Sequence, residues 1–277
     1  MEGRAGRPAL HEQISVRVSL MNVYWLEQSD ADVPAENDWL SANETGRLNG
    51  MRFAQRRADW RLGRWTAKRA LSVCLDVPAH PHVLKKIEIC AAPSGAPEVF
   101  FDSQPAAVTI SLSHRCGVAA CAVAMSHVKL GADLEKIEPR SDAFVADYFT
   151  LEEQALVAHA SASDRDRLLA LLWSGKESAL KALREGLRLD TRSVIVIPCG
   201  TSFGRNGWNE LRVRHPCGRT TGDQHPGDQV FLGWWQHADN IVRTVVAAPP
   251  PHSPVRLRIP VYVSDTASSA CKELVLG

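Results

Sequence analysis

LLWSGKESALKALREGL, residues 171–187, has the pattern of a long amphipathic helix. Leu168, Leu172, Leu180 and Leu183 recur at helical spacing over Asp164–Glu185 and form an apolar stripe. Glu177 and Lys181 are four residues apart on one helical face, with Trp173 one turn earlier. A solvated ion pair has the same spacing, but the tryptophan and the flanking leucines point to partial burial. Gly175 inside this helix costs about 1 kcal/mol relative to alanine, so another element is expected to approach the backbone there.

Short strands surround this helix on both sides. Downstream, Val194–Ile197, Leu211–Val213, Val230–Gln236 and Ile241–Ala247 are apolar runs separated by glycine-rich turns. Upstream, Lys129–Lys136 and Val118–Met125 are joined by the short Ser126-His127 connection, which predicts an antiparallel pair. Val108–Leu112, Glu98–Phe101 and Lys86–Cys90 are further strands. A second long helix is predicted over Arg52–Cys74, its buried stripe formed by Phe53, Trp60, Ala67 and Leu71 and its end marked by Val77-Pro78. A short helix at Trp39–Asn49 and a strand at Val16–Leu26 precede it. Short strands, two long helices and no βαβ rhythm indicate an α+β protein. A boundary near 125 divides it into an N-terminal half, 14–125, and a C-terminal half, 126–250, with no internal sequence repeat evident. Residues 1–13 read as a loose leader. Pro249-Pro250-Pro251 marks the expected end of packing, leaving 251–277 as a loose tail.

Composition excludes several classes. A formal charge of +1, with 45% hydrophobic and 23% charged residues, is that of an ordinary soluble globular chain and announces no nucleic-acid partner. Seven cysteines without a CxxC pair argue against a zinc or redox motif and fit free, mostly buried thiols in a reducing cytosol. The opening MEGRAGRPALHEQ has no apolar core, and no apolar run approaches the ~18 residues of a membrane span, so a cytoplasmic protein is expected.

Three further segments carry chemistry. In GADLEKIE (131–138) strand alternation puts Asp133 and Glu135 on one face and Leu130, Ala132 and Leu134 on the other, toward the core. Adjacent carboxylates repel unless a positive charge lies between them. Mg²⁺, which prefers oxygen ligands, is a natural partner, and a solvated strand face is the plain alternative. In ISLSHRCG (110–117) apolar strand residues lead into Ser113-His114, a hydroxyl and an imidazole suited to phosphate, although a lone histidine is more often structural. Arg57, Arg61, Arg64 and Lys68 form a basic line on the first long helix, fit for a phosphate-rich ligand, an acidic protein or simply solvent.

In this order the segments RRADWRLGRWTAK (56–68), SLSHRCG (111–117), GADLEK (131–136), YFTLEE (148–153) and WSGKESALK (173–181) resemble the 4'-phosphopantetheinyl transferase superfamily, in particular its larger, surfactin-synthetase-activating type. The likeness covers roughly 16–248. It implies a pseudo-dimer of two similar α+β halves with the active site in the cleft between them. It also implies transfer of 4'-phosphopantetheine from coenzyme A to a serine of an apo acyl or peptidyl carrier protein, giving holo carrier and 3',5'-ADP. Carried over position by position, Asp133, Glu135 and Glu177 are the expected Mg²⁺ ligands, Ser113 and His114 coenzyme A contacts, Glu153 a general base, and Lys181 a group facing the pyrophosphate. Many relatives carry a basic residue between Gly and Pro before the Ser-His strand. Here the match is Gly95-Ala96-Pro97, and Arg57 or Arg64 is the candidate replacement. The expected acceptor is an acidic carrier protein and the expected state a monomer. The competing activities are a magnesium-dependent nucleotide phosphohydrolase and a non-catalytic coenzyme A or carrier-binding module.

Overall fold

The computed structural model describes residues 22–199, 207–216 and 229–259. The expected leader at 1–13, the start of the first strand at 16–21, and tail residues 260–277 lie outside them.

In chain order the elements are β1 (Tyr24–Ser29), α1 (Ala42–Asn49), α2 (Ala54–Cys74), α3 (Pro81–Leu84), β2 (Ile87–Ala91), β3 (Pro97–Phe101), β4 (Gln104–Pro105), β5 (Val108–Arg115), β6 (Val118–Met125) and β7 (Lys129–Lys136). There follow α4 (Asp142–Tyr148), α5 (Leu151–Ala158), α6 (Ala162–Ala182), β8 (Ile195–Pro198), β9 (Asn209–His215), β10 (Gln229–Ala238), β11 (Ile241–Ala248) and β12 (Val255–Arg256). The protein is α+β, with a four-stranded sheet β12-β1-β6-β5, a five-stranded sheet β7-β11-β10-β9-β8 and a small sheet β2-β3-β4. Helix α2 packs on β1, β5 and β6, and α6 on β7, β8, β9 and β11. Between the two large sheets lies a third apolar cluster, with Ala120, Ala122 and Ala124 of β6 against Leu130, Ala132 and Leu134 of β7. Alanines in β6 leave room for the sheets to approach; larger residues would hold them apart. Among the described residues no helix is long and apolar enough to cross a membrane.

Four expectations are corrected. The β6–β7 hairpin does not form. Both edges of β6 are taken, by β1 and by β5, and β7 pairs instead with β11. The open side of β7 is met by side chains of β5: Ser111 Oγ accepts from Ala132 N–H (2.9 Å) and Ser113 Oγ from Leu134 N–H (3.1 Å). Phe53 is not in the buried stripe of α2. It is the extended residue before the first helical turn and is 70% exposed.

The basic line on α2 is also not a uniform surface. Lys68 is fully buried, its Nζ 2.5 Å from Glu44 and donating to the carbonyls of Trp39 and Leu84. Finally, residues 251–259 are not loose. Val255 N–H donates to Val23 O and Leu257 N–H to Trp25 O, both at 2.8 Å, so β12 covers an otherwise bare edge of β1. Leu257 and Ile259 pack on the core beneath α2.

The cysteines Cys74, Cys90, Cys116, Cys121 and Cys199 are free, while Cys217 and Cys271 lie outside the described residues. Burial pushes the Cys74 thiol up to about 12.

Candidate active site

A cavity of about 430 Å³ opens between α2, the turn from β2 to β3, β5 and the C-terminal end of α6. It is lined by both halves of the chain, and its polar groups include Arg47, Arg64, Lys181 and Arg184, the Asp59 carboxylate, and Ser113 and His114. Arg64 is buried; its guanidinium lies 5.1 Å from the Trp60 ring and 3.7 Å from Glu44. Burial, then the nearby Arg47 cation, hold the Arg64 pKa below its ordinary value, against the pull of Glu44. With Arg47, Arg64, Lys181 and Arg184 against the one carboxylate of Asp59, the lining favours an anionic occupant.

Strand alternation brings Asp133 and Glu135 of β7 to the α6 side, while Leu130, Ala132 and Leu134 enter the inter-sheet core. Lys181 Nζ lies 2.8 Å from Asp133 Oδ1 and also donates to Ala132 O at 3.0 Å. Ser113 Oγ donates to the same carboxylate oxygen at 2.8 Å. Its hydroxyl therefore orients Asp133, while its lone pair holds the β7 backbone. Asp133 Oδ2 is buried without a hydrogen-bond partner. Glu177 is pushed above the usual carboxylate range by burial first, then by Asp133 and Glu135, with Lys181 opposing. Burial likewise raises Glu135, with Arg115 opposing, Asp133 adding and Arg140 opposing. Arg140 Nη2 stands 2.7 Å and Arg115 Nη2 3.5 Å from Glu135 Oε1.

Three neighbouring carboxylates, one with an orphaned buried oxygen, suit a hard divalent cation by donor chemistry. As arranged, Lys181 and the two arginines take up that charge, and among the described residues no three acidic, His or Cys side chains stand as a metal-holding group.

The sequence-predicted residues thus divide. Asp133, Glu135, Glu177, Lys181 and Ser113 come together where β5, β7 and α6 meet. His114 lines the cavity, its Nε2 4.0 Å from Asp59. Arg57 is exposed on the first turn of α2 and is not among the lining residues, whereas Arg64 is.

Glu153 is a correction. It is 1% exposed: its Oε2 accepts from Thr150 N–H (2.9 Å) and pairs with Lys176 Nζ (2.7 Å), and its Oε1 accepts from Val196 N–H (2.9 Å). Both oxygens are engaged in holding α5, α6 and β8 together, and Glu153 is not among the residues that line the cavity.

Sequence reasoning missed Arg47, Arg184, Arg115 and Arg140. Only proximity in space marks them, because they come from separate parts of the chain: α1, the connection after α6, β5 and the connection after β7. It also missed a correspondence between the halves. Ser41 and Thr150 each open a capping box closed by Glu44 and Glu153. Each glutamate pairs with a fully buried lysine of a 21-residue helix, Lys68 or Lys176, which donates to two backbone carbonyls. The pattern Ser/Thr-x-x-Glu ahead of a long helix, present at 41–44 and 150–153, was the available signal.

Residues 129–224 match the family model of the 4'-phosphopantetheinyl transferase superfamily. The matched segment runs from β7 past β9 and holds Asp133, Glu135, Glu153, Glu177 and Lys181. Among solved structures, a holo-(acyl-carrier-protein) synthase from Bacillus anthracis, crystallised in complex with CoA (3',5'-ADP), is 21% identical. That alignment covers 37% of this chain and 93% of the synthase, with a TM-score of 0.31. No curated protein matches the chain.

Proposed function

We propose that this protein transfers 4'-phosphopantetheine from coenzyme A to a serine of an apo carrier protein, releasing 3',5'-ADP. The observation that carries the reading is Asp133, clamped beside Glu135 and Glu177 by Ser113 and Lys181, two residues that also line the cavity holding Arg47, Arg64 and Arg184. The family match over 129–224 supports it.

The two halves form, in this reading, a pseudo-dimer divided at the loop between β6 and β7, with coenzyme A in the cleft. The paired Glu44–Lys68 and Glu153–Lys176 clamps support a duplicated unit. So does strand order: β1-β6-β5 in one half corresponds to β7-β11-β10 in the other, and β3-β2 to β9-β8.

Arg47, Arg64 and Arg184 bind the anionic nucleotide end, taking over the charge that Ala96 lacks. His114 contacts a phosphate. The carrier serine oxygen attacks the β-phosphorus, a new P–O bond forms, and the bond to the bridging oxygen breaks to release 3',5'-ADP. Lys181 holds positive charge beside that bridge, where it stabilises charge developing on the leaving group. With Glu153 engaged elsewhere, Glu177, one turn from Lys181 on α6, is the carboxylate that takes the serine proton in this reading. Asp133, Glu135 and Glu177 would hold Mg²⁺, which supplies charge neutralisation at the pyrophosphate when bound.

The test is incubation with apo carrier protein, coenzyme A and Mg²⁺, followed by intact-mass measurement of the carrier. A gain of one phosphopantetheine, lost with chelator and in a folded Asp133→Ala variant, is expected. Wild-type transfer by Asp133→Ala, or no gain across fatty-acid, polyketide and peptide carriers, sinks the reading.

A further inference from the structure

The carboxylates proposed for Mg²⁺ are neutralised by the protein's own cations, and at Glu135 this is done by arginines with a second acceptor within reach. Arg140 Nη2 lies 2.7 Å from Glu135 Oε1 and 3.2 Å from Glu138 Oε1. Arg115 Nη2 lies 3.5 Å from Glu135 and 3.1 Å from Glu138. Glu135 is buried, whereas the Glu138 side chain is 30% exposed and also meets Lys136 Nζ at 3.5 Å.

We infer that Arg140, assisted by Arg115, is a built-in counter-ion that competes with the divalent cation for Glu135, and that Glu138 is the acceptor to which it shifts when the cation binds. The inference rests on the metal role proposed above for Asp133, Glu135 and Glu177.

Without a positive charge nearby, Glu135 would face the Asp133 and Glu177 carboxylates in a poorly solvated corner, a costly arrangement. The arginines relieve that cost while no cation is bound, so a cation must displace them. The displacement is short, because both guanidinium groups already touch both glutamates. It also leaves the main chain in place, since Arg165 Nη1 donates to the Arg140 carbonyl at 3.2 Å and the Arg140 side chain rides over the Phe144 ring at 5.1 Å. Arg115 sits at the end of β5 and Arg140 just beyond β7, so the exchange spans the two halves that frame the cavity. The arginines thereby set the cation concentration at which the site fills.

The experiment is titration of the coenzyme A-free protein with Mn²⁺, read as loss of the free-ion electron paramagnetic resonance signal, for wild type, Arg140→Gln and Lys136→Gln. Lys136 contacts Glu138 but not Glu135, so its variant removes one positive charge from the same neighbourhood without removing the competitor. Arg140→Gln is expected to bind Mn²⁺ about tenfold more tightly, an effect of a close charge in a partly buried site. Lys136→Gln is expected to change binding less than about twofold, as for exposed pairs. Thermal unfolding of each variant establishes that it is folded. Equal or weaker binding by Arg140→Gln overturns the counter-ion role, as does an equal gain in Lys136→Gln. Absence of Mn²⁺ binding in all three proteins overturns the metal reading itself, an outcome distinct from equal binding in all three.

Discussion

At the scale of single residues, charges in this protein are set by whether their partners are buried. Glu153 and Lys176 form a buried pair in which burial holds the lysine pKa down and Glu153 opposes that shift. Replacing Glu153 by Gln leaves Lys176 without its counter-charge, and breaking such a pair costs about 3–5 kcal/mol. Urea denaturation of Glu153→Gln should show that loss, with transfer activity per folded molecule largely kept. A stable but inactive variant would return the general-base role to Glu153.

Glu135 and Glu177 behave in the opposite sense. Their folded-state pKa values are raised, chiefly by burial, so the native state binds their protons more readily than the unfolded chain does. Their contribution to stability is full below the ordinary glutamate pKa and is lost as pH rises through the raised values. Without added divalent cation, the thermal midpoint should therefore carry a decline over that window, flattened in Glu177→Gln and offset by Mg²⁺. A midpoint whose pH dependence is the same in Glu177→Gln counts against the burial assigned to this carboxylate.

At the scale of elements, contact between α6 and β7 positions Lys181 and Glu177 against Asp133, and Gly131 permits it. A Cβ at Gly131 would overlap the Ser178 carbonyl of α6, a backbone atom that cannot yield. Gly131→Ala should lose more stability than the 1–3 kcal/mol typical of overpacking, or fail to fold, as measured by expression and chemical denaturation. At Gly175 a Cβ would meet Val196 Cγ1 at 2.8 Å, so β8 is the element whose approach the helix glycine anticipates. Gly175→Ala should be partly rescued by Val196→Ala, since the two sites share one contact.

The β7 alternation was legible in the sequence, because a strand with one face in the core must alternate. The partner of β7 was not. A short connection predicts a hairpin only where the preceding strand has a free edge, and β6 has none. Phe53 was misassigned for a similar reason, since apolar spacing does not reveal that the helix begins one residue later.

Across the whole molecule, the chain returns from its C-terminal half to its N-terminal half. Arg243 on β11 forms a two-armed pair with Glu27 on β1, at 2.5 and 2.8 Å. Beyond it, β12 adds to the edge of β1. Ending the chain after Pro250 should bare that edge and the cavity left by Leu257 and Ile259, lowering the thermal midpoint and promoting aggregation. Light scattering on heating would register it, and an unchanged midpoint would show that this strap is dispensable. Val255, Leu257 and Ile259 alternate with polar residues, a strand signal outweighed by the three prolines before them.

By itself the sequence determined the α+β class, the two long helices and the residue types of the carboxylate–lysine cluster. Helical period, strand alternation and the spacing of Glu177 and Lys181 are local properties that a linear chain carries. Only the tertiary structure decided which charges are free to act. Lys68 and Glu153 looked available in sequence but are buried in clamps, while Arg47 and Arg184 meet at the cavity and Arg115 and Arg140 at Glu135, from separate parts of the chain. The physical reason is that desolvation and Coulomb attraction depend on distance in space, and folding sets those distances between residues far apart in the chain.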